Sequence, residues 1–134
     1  MILLDTHPEL VAAIGTMGVL FIVQLLAADF IGIKAKHLPG SPVDADHRNL
    51  LFRASRVVAN TNESLGLFLL ACLFCVFSGA SPTLSGYAAW GYVLTRALYA
   101  ICYYANWKLA RSTVFGFSLL ALIVLLGAGA YPYF

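Results

Sequence analysis

The residues of this chain best suited to chemistry lie in the stretch FRASRVVANTNESLGLF, where Arg53, Arg56, Asn60 and Glu63 follow one another at intervals of three, four and three. At about 100° per residue these side chains share roughly 80° of arc on one helix face. The rise of about 1.5 Å per residue spreads them over about 15 Å. Such a face presents cations first, then an amide, then a carboxylate. A second face follows in Tyr92, Arg96, Tyr99, Tyr103 and Trp107, at intervals of four, three, four and four. Aromatic residues at that spacing ordinarily serve helix packing, but an arginine among them needs an anion. Glu63 is the expected partner of Arg96, with Asp29 as its rival. Together with Arg111, these faces describe a cavity suited to a ligand with carboxylates, an amine and peptide bonds. The competing reading is that the polar groups only satisfy one another and hold the helices together.

The elements that must position these residues are membrane helices. Hydrophobic residues make up 61% of the 134-residue chain and charged residues only 10%, against about 25% charge in ordinary soluble domains. Lipid is the solvent that suits this composition. About 20 apolar residues of helix cross a hydrocarbon core, and four stretches are long enough: Glu9 to Ile33, Asn49 to Ser78 or Gly79, Leu84 to Trp107, and Ser112 to Ala130. The expected fold is all-α, a single four-helix transmembrane domain over residues 1–134. Turn signals Pro39-Gly40 and Ser41-Pro42 mark the longest connection. Residues 108–111 form the third connection.

Seven of the eight basic residues, Lys34, Lys36, Arg48, Arg53, Arg56, Lys108 and Arg111, lie in or beside the first and third connections. The positive-inside rule then puts those connections in the cytoplasm and both termini outside. The start, MILLDTHPEL, has no basic residue, so the first apolar run reads as a retained helix rather than a cleaved leader. Short loops suggest a bacterial inner-membrane protein. Cys72 and Cys75 form C-x-x-C inside an apolar run and read as small side chains that are buried or face lipid. No Cys/His set has zinc-ligand spacing. His37 and His47, beside Asp44 and Asp46, read as loop polarity.

The string Arg56-x-x-x-Asn60-x-x-Glu63, followed by Arg96-x-x-Tyr99-x-x-x-Tyr103 and by Arg111-Ser112, resembles the signature of the MAPEG family, membrane-associated proteins in eicosanoid and glutathione metabolism. The likeness covers nearly the whole chain. It implies a homotrimer of four-helix protomers, with glutathione bent between neighbouring subunits near the cytoplasmic side and a hydrophobic substrate arriving from the lipid. By the same resemblance Arg56, Asn60 and Glu63 match glutathione contacts on the second helix, and Tyr99 and Tyr103 match contacts on the third. Arg111 matches the arginine beside the thiol, with Ser112 next to it and Phe115 one turn on. Lys34, or else Lys36, matches the basic residue ending the first helix. Arg53 and Arg96 join the candidate glutathione-binding set. The chain departs from some relatives at Ala59 and Ser64.

The activity implied is that of a glutathione transferase, with peroxidase chemistry on lipid hydroperoxides and a role in detoxification. Arg111 and Ser112 would stabilise the thiolate, the reactive form of a thiol. Two other classes compete. One is a non-catalytic scaffold of the same architecture that presents a lipid. The other is a small four-helix exporter with Glu63 as proton carrier, although arginines beside Glu63 favour its ionised form and make it a poor shuttle.

Overall fold

The computed structural model describes residues 5–134, so the reading of the chain start as leaderless falls partly on residues 1–4, outside the described residues. Four helices follow in order: α1 (Pro8–Lys34), α2 (Leu50–Ser78), α3 (Pro82–Tyr104) and α4 (Lys108–Ala130), with a 3-10 turn at Tyr131–Tyr133. Among the described residues there is no strand.

Each boundary has a local cause. Proline opens α1 and α3, where a missing N–H costs nothing. The Asn49 side chain accepts the Leu51 N–H at 2.9 Å to cap α2. The first three helices end alike. Lys36 (φ 52), Gly79 (φ 68) and Asn106 (φ 59) take the left-handed conformation. The next residue in each case donates back to Gly32, Cys75 or Cys102, which satisfies carbonyls that a helix end leaves free.

The last of these stops corrects two expected boundaries. α3 ends at Tyr104 rather than Trp107, and α4 begins at Lys108 rather than Ser112. Residues 108–111 are therefore the first turn of a helix rather than a connection, and Arg111 is held by helical backbone.

α1, α2 and α4 are long and apolar enough to cross a membrane, which fits an integral membrane protein. α3 was expected as a fourth span, yet by composition it falls short of the other three. The reason is its position in the bundle. It packs against α4 and α1 and, less extensively, α2, and it turns Tyr92, Arg96, Tyr99 and Tyr103 inward. The more apolar helices carry exposed residues such as Ile22, Leu26, Leu70, Phe77 and Ile123, which suit lipid.

The interior divides along its length. Towards the termini lies a large cluster built on Leu10, Met17, Phe68, Cys72, Cys75, Leu122 and Leu125. Towards the basic loops lies a smaller, aromatic one of Val57, Tyr99, Ala100 and Tyr103, edged by Tyr104, Val114 and Phe115. Close approach in the first region depends on glycine. A Cβ on Gly86 would sit 2.8 Å from the Glu9 Cβ, so α1 and α3 meet there because no side chain intervenes.

Candidate functional site

Arg96 is fully buried. It donates through Nη1 to the Asn60 side-chain oxygen, and its guanidinium lies 5.3 to 5.5 Å from the ring centroids of Tyr92, Tyr99 and Phe115. Its Nε and Nη2 have no partner. The expected Glu63–Arg96 pair is absent: Glu63 is exposed on the outside of the bundle. The rival fails too, because Asp29 is exposed in a groove between α1 and α2. The only ion pair among the described residues is Arg48–Asp46 in the first loop. Depth explains the error. Arg96 lies eight residues from the end of α3, about 12 Å along the axis, whereas Glu63 lies thirteen residues from the start of α2, about 20 Å in. Asn60, one turn nearer the loops, is the residue at the right level.

Directly beside this arginine is a cavity of about 250 Å³ lined by Asn60, Tyr99, Tyr103, Arg111, Ser112 and Phe115. All six were singled out in the sequence, and α2, α3 and α4 bring them together. The Arg111 guanidinium lies 4.5 Å from the Tyr103 ring centroid, and its buried Nη1 has no partner. Tyr99 stands between Tyr103 and Phe115, with ring centroids 5.4 and 6.1 Å away. The Ser112 hydroxyl is exposed and donates to the Lys108 carbonyl at 3.2 Å. Larger hollows exist, including one of about 470 Å³ between α1 and the first loop. There the lining is mostly apolar, and no guanidinium enters it.

The remaining candidates sit elsewhere. Arg56 is half-buried on α2, close enough to act electrostatically on the Tyr99 phenol together with Arg96 and Arg111. Arg53 is not among the residues lining the cavity. Its Nη1 donates to the carbonyls of His47 at 2.7 Å and Arg48 at 3.2 Å, so it clamps the first loop. Lys34 is exposed, with Nζ 4.6 Å from the Phe30 ring centroid. Trp107 is exposed beyond α3.

Sequence reasoning missed His47. Its Nε2 lies 3.3 Å from the Tyr103 hydroxyl, and its ring stacks on Tyr103. No periodicity pointed there, because loop backbone places it. In the same loop, the Arg48 backbone N–H and then its guanidinium hold the Asp46 carboxyl below the usual carboxylate range, and Asp46 in turn raises Arg48.

Arrangements of this kind hold small anions. Several guanidinium donors stay charged at any relevant pH, a phenol and an amide provide directional bonds, and apolar walls strengthen each contact. The sequence model of the MAPEG family matches residues 10–131. No curated protein and no solved structure matches the chain at a significant level.

Proposed function

Because this chain belongs to the MAPEG family, we propose that it is a membrane-bound glutathione transferase whose site is the cavity beside Arg96, acting on hydrophobic electrophiles or lipid hydroperoxides. The observation that carries this reading is the buried, unpartnered Nη1 of Arg111 at a cavity shared with Asn60, Tyr99, Tyr103, Ser112 and Phe115. A guanidinium left unsatisfied in a partly dry site is a place for a thiolate.

Free thiols ionise near pH ~8.5, so at neutral pH only a few per cent is reactive. Lowering that value by about two units needs ~2.7 kcal/mol of preference for the thiolate. One close cation supplies that amount when water is largely excluded. In this reading Arg111 stabilises the sulfur anion, and Ser112 adds a hydrogen bond after turning from the Lys108 carbonyl. Tyr99, Tyr103 and Asn60 orient the peptide, and Phe115 packs against it. Arg96 acts from behind, holding Asn60 by a hydrogen bond and Tyr99 and Phe115 by their ring faces. The thiolate attacks an electrophilic carbon and displaces its leaving group. With a hydroperoxide it attacks the outer oxygen: an S–O bond forms as the O–O bond breaks, the alkoxide takes a proton from water and leaves as the alcohol, and the thiol of a second glutathione displaces water from the resulting sulfenic acid to form the disulfide.

The reading includes a homotrimer. A cavity of about 250 Å³ falls below the ~300–1,000 Å³ usual for small-molecule sites, so one protomer supplies only part of the wall. Exposed polar groups at membrane depth, Asp29, Asn62 and Glu63, also need cover that lipid does not provide. Lys34, Arg56 and Glu63 then reach glutathione where two protomers meet. The single domain, the cytoplasmic placement of the basic loops and the bacterial inner membrane belong to the same proposal. The exporter reading loses ground, because Glu63 lies on the outer surface of the bundle rather than in an enclosed apolar chamber.

Arg111→Ala tests it. Glutathione binding by the purified protein should persist, while turnover with a membrane-soluble electrophile at pH ~7 falls about 25-fold, the ratio of thiolate fractions for thiols that ionise near ~6.5 and near ~8.5. Unchanged turnover would remove Arg111 from the chemistry.

A further inference from the structure

The first loop reaches the cavity through one side chain that family membership does not assign. We propose that His47 is a positioning residue for Tyr103: its protonation decides whether the phenol donates its one proton to the imidazole or to an anion in the cavity. This deepens the glutathione reading and rests on it.

Two independent features fix the imidazole. Its backbone is clamped, since Arg53 donates to the carbonyls of both His47 and Arg48 and the Asn49 side chain caps α2 directly after it. Its ring is wedged between two others: edge-on to Phe52 with centroids 5.1 Å apart and an interplanar angle of 87°, and roughly parallel to Tyr103 at 6.0 Å and 30°. Nε2 then lies 3.3 Å from the Tyr103 hydroxyl. That same tyrosine lines the cavity and carries the Arg111 guanidinium on its ring. One phenol therefore touches the loop, the thiolate-stabilising cation and the ligand space.

A phenol has one proton to give. When Nε2 of a neutral His47 accepts it, the oxygen turns only lone pairs to the cavity, which repels an anion. When the imidazole is protonated, Nε2–H donates to the phenol oxygen, and the Tyr103 O–H is free to donate into the cavity. Histidine is the side chain that makes this change between pH ~5 and ~8. The groups that bear on the equilibrium come from every neighbouring element. Asp44, Asp46 and Arg48 share the loop, Arg53 lies on α2, Tyr99 and Tyr103 on α3, and Arg111 on α4.

The test uses S-methylglutathione, whose sulfur cannot ionise, so the thiol adds no pH dependence of its own. Its binding to the full-length protein in detergent is titrated from pH ~5.5 to ~8.5, across the histidine range. Wild type should bind about two- to tenfold more tightly at the acid end, the worth of one neutral hydrogen bond. His47→Gln, which keeps a hydrogen-bonding side chain but does not titrate, should flatten that slope. Tyr103→Phe should flatten it as well, and the double variant should lose no more than Tyr103→Phe alone. A slope that survives in His47→Gln, or additive losses in the double variant, overturns the proposal. The imidazole titration of His47, followed by nitrogen NMR without ligand, separates the two ideas. If no variant binds the peptide but Tyr103→Phe still moves that titration, the glutathione reading fails and the pairing stands. An unmoved titration overturns the pairing itself.

Discussion

At the end of the bundle that carries the termini, Phe68 stacks on Tyr92 at 4.5 Å, the Cys75 thiol donates to the Leu125 carbonyl at 3.1 Å, the His7 ring donates to Ala80 at 3.2 Å, and Trp90 donates to Glu9 at 2.9 Å. At the end with the basic loops, Arg53, Arg96, Tyr104, Asn106 and Arg111 all keep buried polar atoms without partners, and Gln24 and Thr61 do so midway. Among the described residues no such atom lies in the sealed half. The same helices build both ends, so the contrast is one of side chains. Apolar surroundings make an unpaired buried polar atom expensive, about 1–3 kcal/mol each and more for a charge. Their concentration at one end agrees with the proposed site there.

The comparison can be broken from either side. The largest expected effect is at the sealed end. Phe68→Ala removes a fully buried ring and should cost about 3–5 kcal/mol of unfolding stability, measured by denaturation in detergent, while folded protein still binds glutathione as wild type does. A matching loss of affinity would mean that the two ends are not separable. Arg96→Met probes the other end. It trades a cation with two orphaned donor atoms for an apolar side chain of similar reach, so stability should change by less than ~1 kcal/mol or rise. Glutathione affinity should fall about tenfold as Asn60, Tyr99 and Phe115 lose their support, equivalent to ~1.4 kcal/mol. A collapse in stability would make Arg96 a structural strut instead.

Two smaller effects sharpen the picture at the first loop. Lys36 occupies a left-handed position at the end of α1, so Lys36→Gly should stabilise by about 0.5–1 kcal/mol if the charge has no other task there; a loss in the same denaturation assay would show that it does. The smallest is a pH effect. The Asp46 carboxyl is held below its ordinary value, so its contribution is full above the unfolded aspartate value of about 3.9 and fades as pH falls through the lower folded value. Hydrogen exchange at the Arg48 amide, which donates to Asp46 at 2.9 Å, should quicken there relative to the other loop amides, and Asp46→Asn should abolish that acid step.

The helical faces were legible because periodicity carries them. Asn60, Tyr99, Tyr103, Arg111, Ser112 and Phe115 were named from spacing and resemblance, and they line one cavity. The partner of Arg96 was not legible. A helical wheel gives an angle but only a rough depth, so the reading that set Glu63 against Asp29 passed over Asn60, which lies three residues, about 4.5 Å, nearer the loops than Glu63 on the same helix. Arg53 lies outside the cavity lining for a related reason. It shares the face of Arg56, yet it lies within the first turn of α2, where loop carbonyls compete for its donors. His47 carried no signal at all, since nothing in a loop's composition says which helix its side chain will touch.

The sequence by itself determined that this chain is helical, suited to lipid, and basic around two connections, because composition and a 3.6-residue period act locally and need no partner. Only the tertiary structure decided which buried cation faces which amide, that α3 is the sheltered helix, and that a loop histidine rests on a cavity tyrosine. Those outcomes depend on how helices slide and rotate against each other, and packing sets that from many weak contacts at once.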